Sequence, residues 1–184
     1  MLIRVLAPVV VIVLCGATLL QILRPPLPKL IYSPSPSAPI GWYRLEAKRV
    51  VSRGDLVAAY APDEARKLAD QRRYLPYTVP LIKTVWAVGG EEICHKTGRV
   101  LVAGRPSLVV LTHDSLGRDL PSKEGCYTLS KDEVFLVSTH VQTSFDSRYF
   151  GPASVSSVLG PVKYLGRFKK RSERVGETGK AGRG

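Results

Sequence analysis

Three clusters in this chain carry side chains suited to acyl-transfer chemistry. Ser35-Pro36-Ser37, followed by Ala38-Pro39, holds two hydroxyls in a segment where proline removes backbone donors. Lys83 interrupts an apolar run, Leu81-Ile82-Lys83-Thr84-Val85-Trp86-Ala87-Val88. Ser144-Phe145-Asp146-Ser147-Arg148-Tyr149-Phe150-Gly151 adds further hydroxyls and two opposite charges in one turn. A serine hydroxyl attacks a carbonyl efficiently when a base takes its proton, and Lys83 is the base on offer. In a strand, alternate side chains share a face, so Lys83 is expected beside Leu81, Val85 and Ala87. Desolvation there disfavours the ammonium form and lowers its pKa. At an unperturbed pKa, well under ~0.1% of a lysine is neutral at pH 7. A drop of about 2–3 units makes it a workable general base.

Ser37 is the candidate nucleophile, with its hydroxyl free for a substrate. Ser35 and the backbone N–H of Ser37 form a candidate oxyanion hole. Ser144 is placed to orient the lysine, and Asp146 and Arg148 to pair with each other. Taken singly, each cluster has a plainer reading: a linker, a solvent-facing edge-strand lysine, a surface ion pair of little worth. The three histidines, His95, His113 and His140, stand in polar contexts. His113-Asp114-Ser115 has the residue types of a triad, but sequence neighbours do not make one.

These side chains need a scaffold, and the chain has the length for one domain with appendages. Its 14 prolines and 16 glycines favour turns over long helices. Strands are expected at Gly41–Leu45, Leu56–Tyr60, Leu81–Val88, Val100–Val102, Leu108–Leu111, Val134–Val137 and Val158–Leu165. One helix is expected from Pro62 to about Leu75, acidic at its start and basic at its end. Short strands with turn signals predict a mainly antiparallel β domain. It is bounded at 33–166, between a proline-rich spacer at 25–32 and a basic, disordered tail at 167–184.

Val5 to Leu23 carries no charge over 19 residues, enough to span a bilayer as a helix. Residues 1–24 therefore read as an uncleaved membrane anchor, since no small-x-small cleavage site follows. The flanking Arg4, Arg24 and Lys29 barely bias its orientation. The net charge of +12 suits an anionic membrane surface. No interleaved aromatic and basic pattern argues for nucleic acid. Of three cysteines, Cys15 falls in the anchor, while Cys94 and Cys126 can pair if the domain faces an oxidising compartment. The cysteine and histidine spacing offers no metal site, and no cofactor is expected.

Together the clusters resemble the signal peptidase family of serine–lysine proteases, and within it the conjugative-transfer, TraF-type branch. The nucleophile block of that branch, Ser-x-Pro-x-Gly before an aromatic strand, reads here Ser37-Ala38-Pro39-Ile40-Gly41-Trp42-Tyr43. Arg53-Gly54-Asp55-Leu56-Val57 resembles the family's Gly-Asp-hydrophobic turn, and Lys83-Thr84-Val85 its lysine strand. Ser144 to Gly151 matches the last block in full. Ordinary leader peptidases carry Ser-Met-x-Pro, which this chain lacks. The family's Gly-Asp after the lysine strand is Gly90-Glu91 here.

The resemblance implies a signal-peptidase-like β fold held in the bacterial inner membrane, with a periplasmic catalytic domain and a Cys94–Cys126 disulfide. It implies that Ser37 attacks and Lys83 accepts the proton. Ser144 would orient the ammonium group, Ser35 and the Ser37 amide would hold the oxyanion, and Asp146 and Arg148 would brace the site. The substrate would be an exported, pilin-like precursor with small residues before the cut, met at the bilayer beside a conjugation machinery. Some members of the branch join pilin ends into a ring. Two alternatives remain. A self-cleaving repressor would need a DNA-binding domain where the anchor stands. A non-enzymatic scaffold of a secretion apparatus would use the anchor and tail alone.

Overall fold

The computed structural model describes residues 2–23, 29–47 and 49–167, with side chains in the N-terminal helix described at Leu6 and at 8–19. Residues 25–28 of the proline-rich spacer and all of the basic tail beyond Arg167 lie outside the described residues.

The domain is mainly β, as expected, and every strand pairing is antiparallel. Its larger sheet has seven strands. In chain order these are β1 (Leu30–Ser33), β2 (Gly41–Leu45), β3 (Leu56–Ala59), β4 (Leu81–Val88), β9 (Glu133–Val137), β10 (Ala153–Ser154) and β11 (Val158–Gly166). They lie side by side as β1-β2-β11-β3-β4-β9-β10. The smaller sheet takes β5 (Glu92–Lys96), β6 (Arg99–Val102), β7 (Leu108–Val109) and β8 (Gly125–Thr128) in the order β7-β6-β5-β8.

The long strand β11 joins the two halves of the larger sheet, pairing with β2 along one stretch and β3 along another. Two register shifts let it bend between them. Gly41 is required at the first half: a Cβ there would lie 2.5 Å from the carbonyl oxygen of Gly166. This is a structural reason for the glycine that closes the Ser37 motif.

Strand β4 has neighbours on both sides, β3 and β9, which accounts for its nearly continuous apolar sequence. Its alternation does not persist. A bulge between Val85 and Ala87 reverses the parity of the strand. Val85 packs with Val57, Val134, Leu136 and Val158, and Val88 joins that face. Trp86 and Ala87 instead pack with Ile93, Val100, Phe135 and Val137 between the two sheets. Ala87 is therefore not on the Lys83 face, contrary to strict alternation. Lys83 stands opposite Val57 across the β3 pairing.

Three further differences have local causes, and the expected disulfide is present. The strand β1 occupies residues assigned to a spacer, because Leu30 to Ser33 adds to the edge of β2 before Pro34 ends it. The helix α2 spans Asp63–Gln71 rather than reaching Leu75; Arg73 takes φ +58 and turns Tyr74 back. Strands β5 and β8 are stitched by the Cys94–Cys126 disulfide, and the two cysteines face each other in register. His95 is buried, not polar in setting, because β5 sends both Ile93 and His95 inward.

The N-terminal segment is helical over Leu2–Leu23, α1. Among the described residues, no helix is long and apolar enough to cross a membrane.

Candidate active site

The serine-rich segment before β2 is a turn held at several points. The Ser33 hydroxyl donates to the carbonyl of Ser35 at 3.3 Å. The Tyr43 hydroxyl donates to the carbonyl of Pro39 at 2.6 Å. Burial pushes the Tyr43 phenol up to about 12, with a further push from Tyr164, so it remains a donor. The Ser138 hydroxyl donates to the carbonyl of Ser37 itself at 2.6 Å. Within this frame the Ser35 and Ser37 oxygens lie 2.9 Å apart.

On β4, Lys83 is 3% exposed. Its Nζ donates to the Ser144 hydroxyl at 2.7 Å. Burial pulls its pKa down from 10.5 to about 8; the charge of Asp146 opposes the shift and that of Arg148 adds to it. Ser37, Ser35, Lys83 and Ser144 all line one cavity of about 390 Å³. At that pKa, roughly a tenth of the amine is neutral at pH 7, against roughly 0.03% for an ordinary lysine.

The third cluster explains why Ser144 stays in place. Asp146 caps the short helix α3 (Ser147–Phe150) and is fully buried with Arg148. The guanidinium grips both carboxylate oxygens, Nε to Oδ1 at 2.8 Å and Nη2 to Oδ2 at 2.9 Å. Nη2 also donates to the carbonyl of Ser144 at 3.1 Å, and Nη1 to that of Val109 at 2.9 Å. Burial alone would lower the Arg148 pKa, but Asp146 outweighs it and raises it. The surface ion pair of the plainer reading is thus a buried, bidentate one. Gly151 closes the helix at φ +83, a region that favours glycine.

Two contributors are not among the site residues expected from the sequence. Ser138 links Ser37 to Asp146, since its own amide donates to Asp146 Oδ2 at 2.9 Å. Tyr149 accepts from the amide of Leu111 at 3.1 Å and so fixes a far wall of the cavity. Both act through backbone partners remote in sequence, which no local pattern encodes.

The chain matches the family described as signal peptidase, peptidase S26, over residues 2–165. It belongs to that family. The S26 chain is 34% identical over 144 residues to a conjugal transfer protein TraF of Agrobacterium fabrum, covering 73% of this chain and 80% of the relative. A second protein of that name, from Agrobacterium tumefaciens, is 37% identical over the same shares. Among solved structures, a signal peptidase I from Enterococcus faecalis V583 is similar at 18% identity and a TM-score of 0.39, over 64% of this chain and 100% of that one. That likeness is too loose to bear on the site.

Cys94 and Cys126 are not among the residues lining the S26 cavity. With Glu92 they form a group close enough to hold a metal, but their sulfurs are bonded to each other. His113 does line the cavity, yet it pairs with Asp119 at 3.1 Å and not with a serine.

Proposed function

We propose that this chain is a membrane-anchored serine endopeptidase that cuts exported precursors, with Ser37 as nucleophile and Lys83 as general base. The observation that carries the reading is a buried, pKa-lowered Lys83 sharing one cavity with Ser37. Lys83 takes the Ser37 proton as Oγ bonds to the scissile carbonyl carbon. The Ser35 hydroxyl and the Ser37 amide receive the oxyanion. The C–N bond then breaks, and the Lys83 ammonium returns its proton to the leaving amine. Water, activated by Lys83, releases the acyl group from Ser37. Ser144 keeps Nζ oriented, and the Asp146–Arg148 pair keeps Ser144 in place.

The names of the TraF relatives support a role in conjugation, and we assign a pilin-like precursor as substrate. An amine in place of water on the acyl-enzyme would join chain ends instead of hydrolysing them. For the bilayer, support comes from the apolar segment Val5–Leu23 and from exposed Val9, Val10, Val11, Ile12, Val13 and Leu14 on α1. On this reading the domain faces the periplasm from the inner membrane, where the Cys94–Cys126 bond is stable.

The test is to incubate the detergent-solubilised chain with candidate pilin precursors and weigh the products. Wild type should trim the precursor, and a loss of one water from the trimmed peptide would mark ring closure. Ser37→Ala and Lys83→Ala should each abolish trimming while the fold survives by circular dichroism. Trimming retained by either variant would refute the assignment.

A further inference from the structure

Ser37 lies on a turn, whereas Lys83 is fixed within β4. A proton passes between their side chains only if the turn is held within hydrogen-bond reach of the strand. Two contacts fasten the turn beyond Ser37. Ala38 is 1% exposed and packs with Ile31, Tyr43, Ala58, Ile82 and Val162. The Pro39 carbonyl accepts from the Tyr43 hydroxyl. A third contact acts on the Ser37 backbone itself, whose carbonyl accepts the Ser138 hydroxyl at 2.6 Å.

Ser138 follows directly on β9, one residue past the pair Thr84–Val137, and Lys83 precedes Thr84 on β4. Tether and base thus leave the same rung of the sheet. Ser138 is buried, and its hydroxyl has one proton and two acceptor sites. The amides of His140 and Val141 approach the oxygen at 3.3 and 3.4 Å. That is the local turn a serine makes with its own backbone. With the acceptor side facing those amides, the proton points away from the loop, and the Ser37 carbonyl receives it. A serine that only shaped its own turn would need no partner 101 residues away. The Ser138 amide meanwhile donates to Asp146 Oδ2 at 2.9 Å. Asp146 holds Arg148, Arg148 holds the Ser144 carbonyl, and the Ser144 hydroxyl accepts from Lys83. A continuous path therefore runs from the Lys83 amine to the Ser37 peptide, and the Ser138 hydroxyl is its last link.

We infer that Ser138 is a positioning residue for the nucleophile, its hydroxyl fixing the Ser37 peptide so that Oγ faces the cavity within reach of Lys83. The inference rests on the protease reading for its kinetic consequence and on the geometry alone for the tether. The Ser37 carbonyl belongs to the planar peptide that joins Ser37 to Ala38. Holding that plane sets the backbone rotation that aims the Ser37 side chain. A displacement of about 1 Å between reacting groups costs about 100-fold in rate. Loss of the hydroxyl frees the rotation but leaves the Ser138 amide on Asp146, so the charges around Lys83 stay as they are.

The experiment compares full-length wild type, Ser138→Ala and Ser138→Thr on a synthetic peptide spanning a precursor cut, with rates taken per titrated Ser37. Ser138→Ala should lower kcat by about 10- to 100-fold and leave KM within about 2-fold of wild type. Its pH midpoint should stay at about 8. Ser138→Thr keeps the hydroxyl and should recover most of the loss. A second arm needs no turnover. Ser37-Ala38 is the one Ser-Ala step in the chain, so isotope-labelled serine carbonyl carbon with labelled alanine nitrogen gives a single NMR correlation. Its carbon frequency should move upfield in Ser138→Ala and return in Ser138→Thr. An unmoved frequency in Ser138→Ala, or an unchanged kcat per titrated site, overturns the inference and leaves the protease reading intact. So does a shifted pH midpoint, which would mean that Ser138 acts on the lysine's charge and not on the serine's aim. A wild type that cuts no peptide defeats the protease reading, and the tether then stands or falls by the frequency alone.

Discussion

Lys83 is where the physical tension of this molecule is concentrated. A buried ammonium beside Val57 and Val85 loses hydration, and one hydroxyl of Ser144 replaces only part of it. Asp146 returns some favourable charge, but its oxygens are already held by Arg148 and the Ser138 amide. This tension predicts a stability signature. Above pH 10.5 the lysine is neutral in both folded and unfolded chains, so burial costs nothing. As pH falls toward 8, the unfolded chain takes up the proton and the folded one does not, so stability drops. Below pH 8 the folded lysine also protonates, and the cost levels off at about 3 kcal/mol. Urea titrations should therefore show the wild type gaining about 3 kcal/mol relative to Lys83→Met between pH 8 and pH 10.5. A constant difference across that range would mean that Lys83 titrates normally.

At the scale of elements, the disulfide-bonded strands of the smaller sheet place neither cysteine in the cavity wall. The disulfide ties β5 to β8 and closes a loop of sequence separation 32. In the chain-entropy account such a bond stabilises by roughly 3–4 kcal/mol. The double variant Cys94→Ala/Cys126→Ala should lose that much in a denaturant titration yet keep the pH midpoint of any peptidase activity. A shifted midpoint would show that the disulfide itself bears on the site. Much of this scale was legible in the sequence. The strand β4 was readable to its ends, because a long β-branched run between prolines and Gly89-Gly90 has few other fates. Ser37, Lys83, Ser144, Asp146 and Arg148, whose roles belong to the proposal, stand out in the sequence because their motifs are contiguous. What was not legible depends on pairing. The bulge at Trp86 answers to β9, and β1 exists because β2 has an open edge. His95 looked polar among charged neighbours, yet strand parity buries it between Tyr127 and Phe135. The role of Ser138 is a contact across 101 residues of chain.

For the whole molecule, the proposal requires that the charge distribution and the apolar N-terminus act together. The chain carries +12 overall, and an uncharged run from Val5 to Leu23 precedes the β domain. An anionic surface attracts such a protein, and an apolar helix retains it. In fractionated bacterial cells, the chain should stay with membranes through alkaline carbonate. Protease added to spheroplasts should digest the β domain without lysis. Release by carbonate would contradict the anchor, and protection of the β domain would contradict the periplasmic orientation.

The central claim is that a neutral Lys83 amine deprotonates Ser37 near physiological pH. Its most direct measurement is the pH dependence of kcat/KM for peptide cleavage by the full-length chain, read with an active-site titration of Ser37. The account predicts a single rising limb with a midpoint at about 8, absent in Lys83→Ala. A midpoint near 10.5, or the same limb in Lys83→Ala, would contradict it.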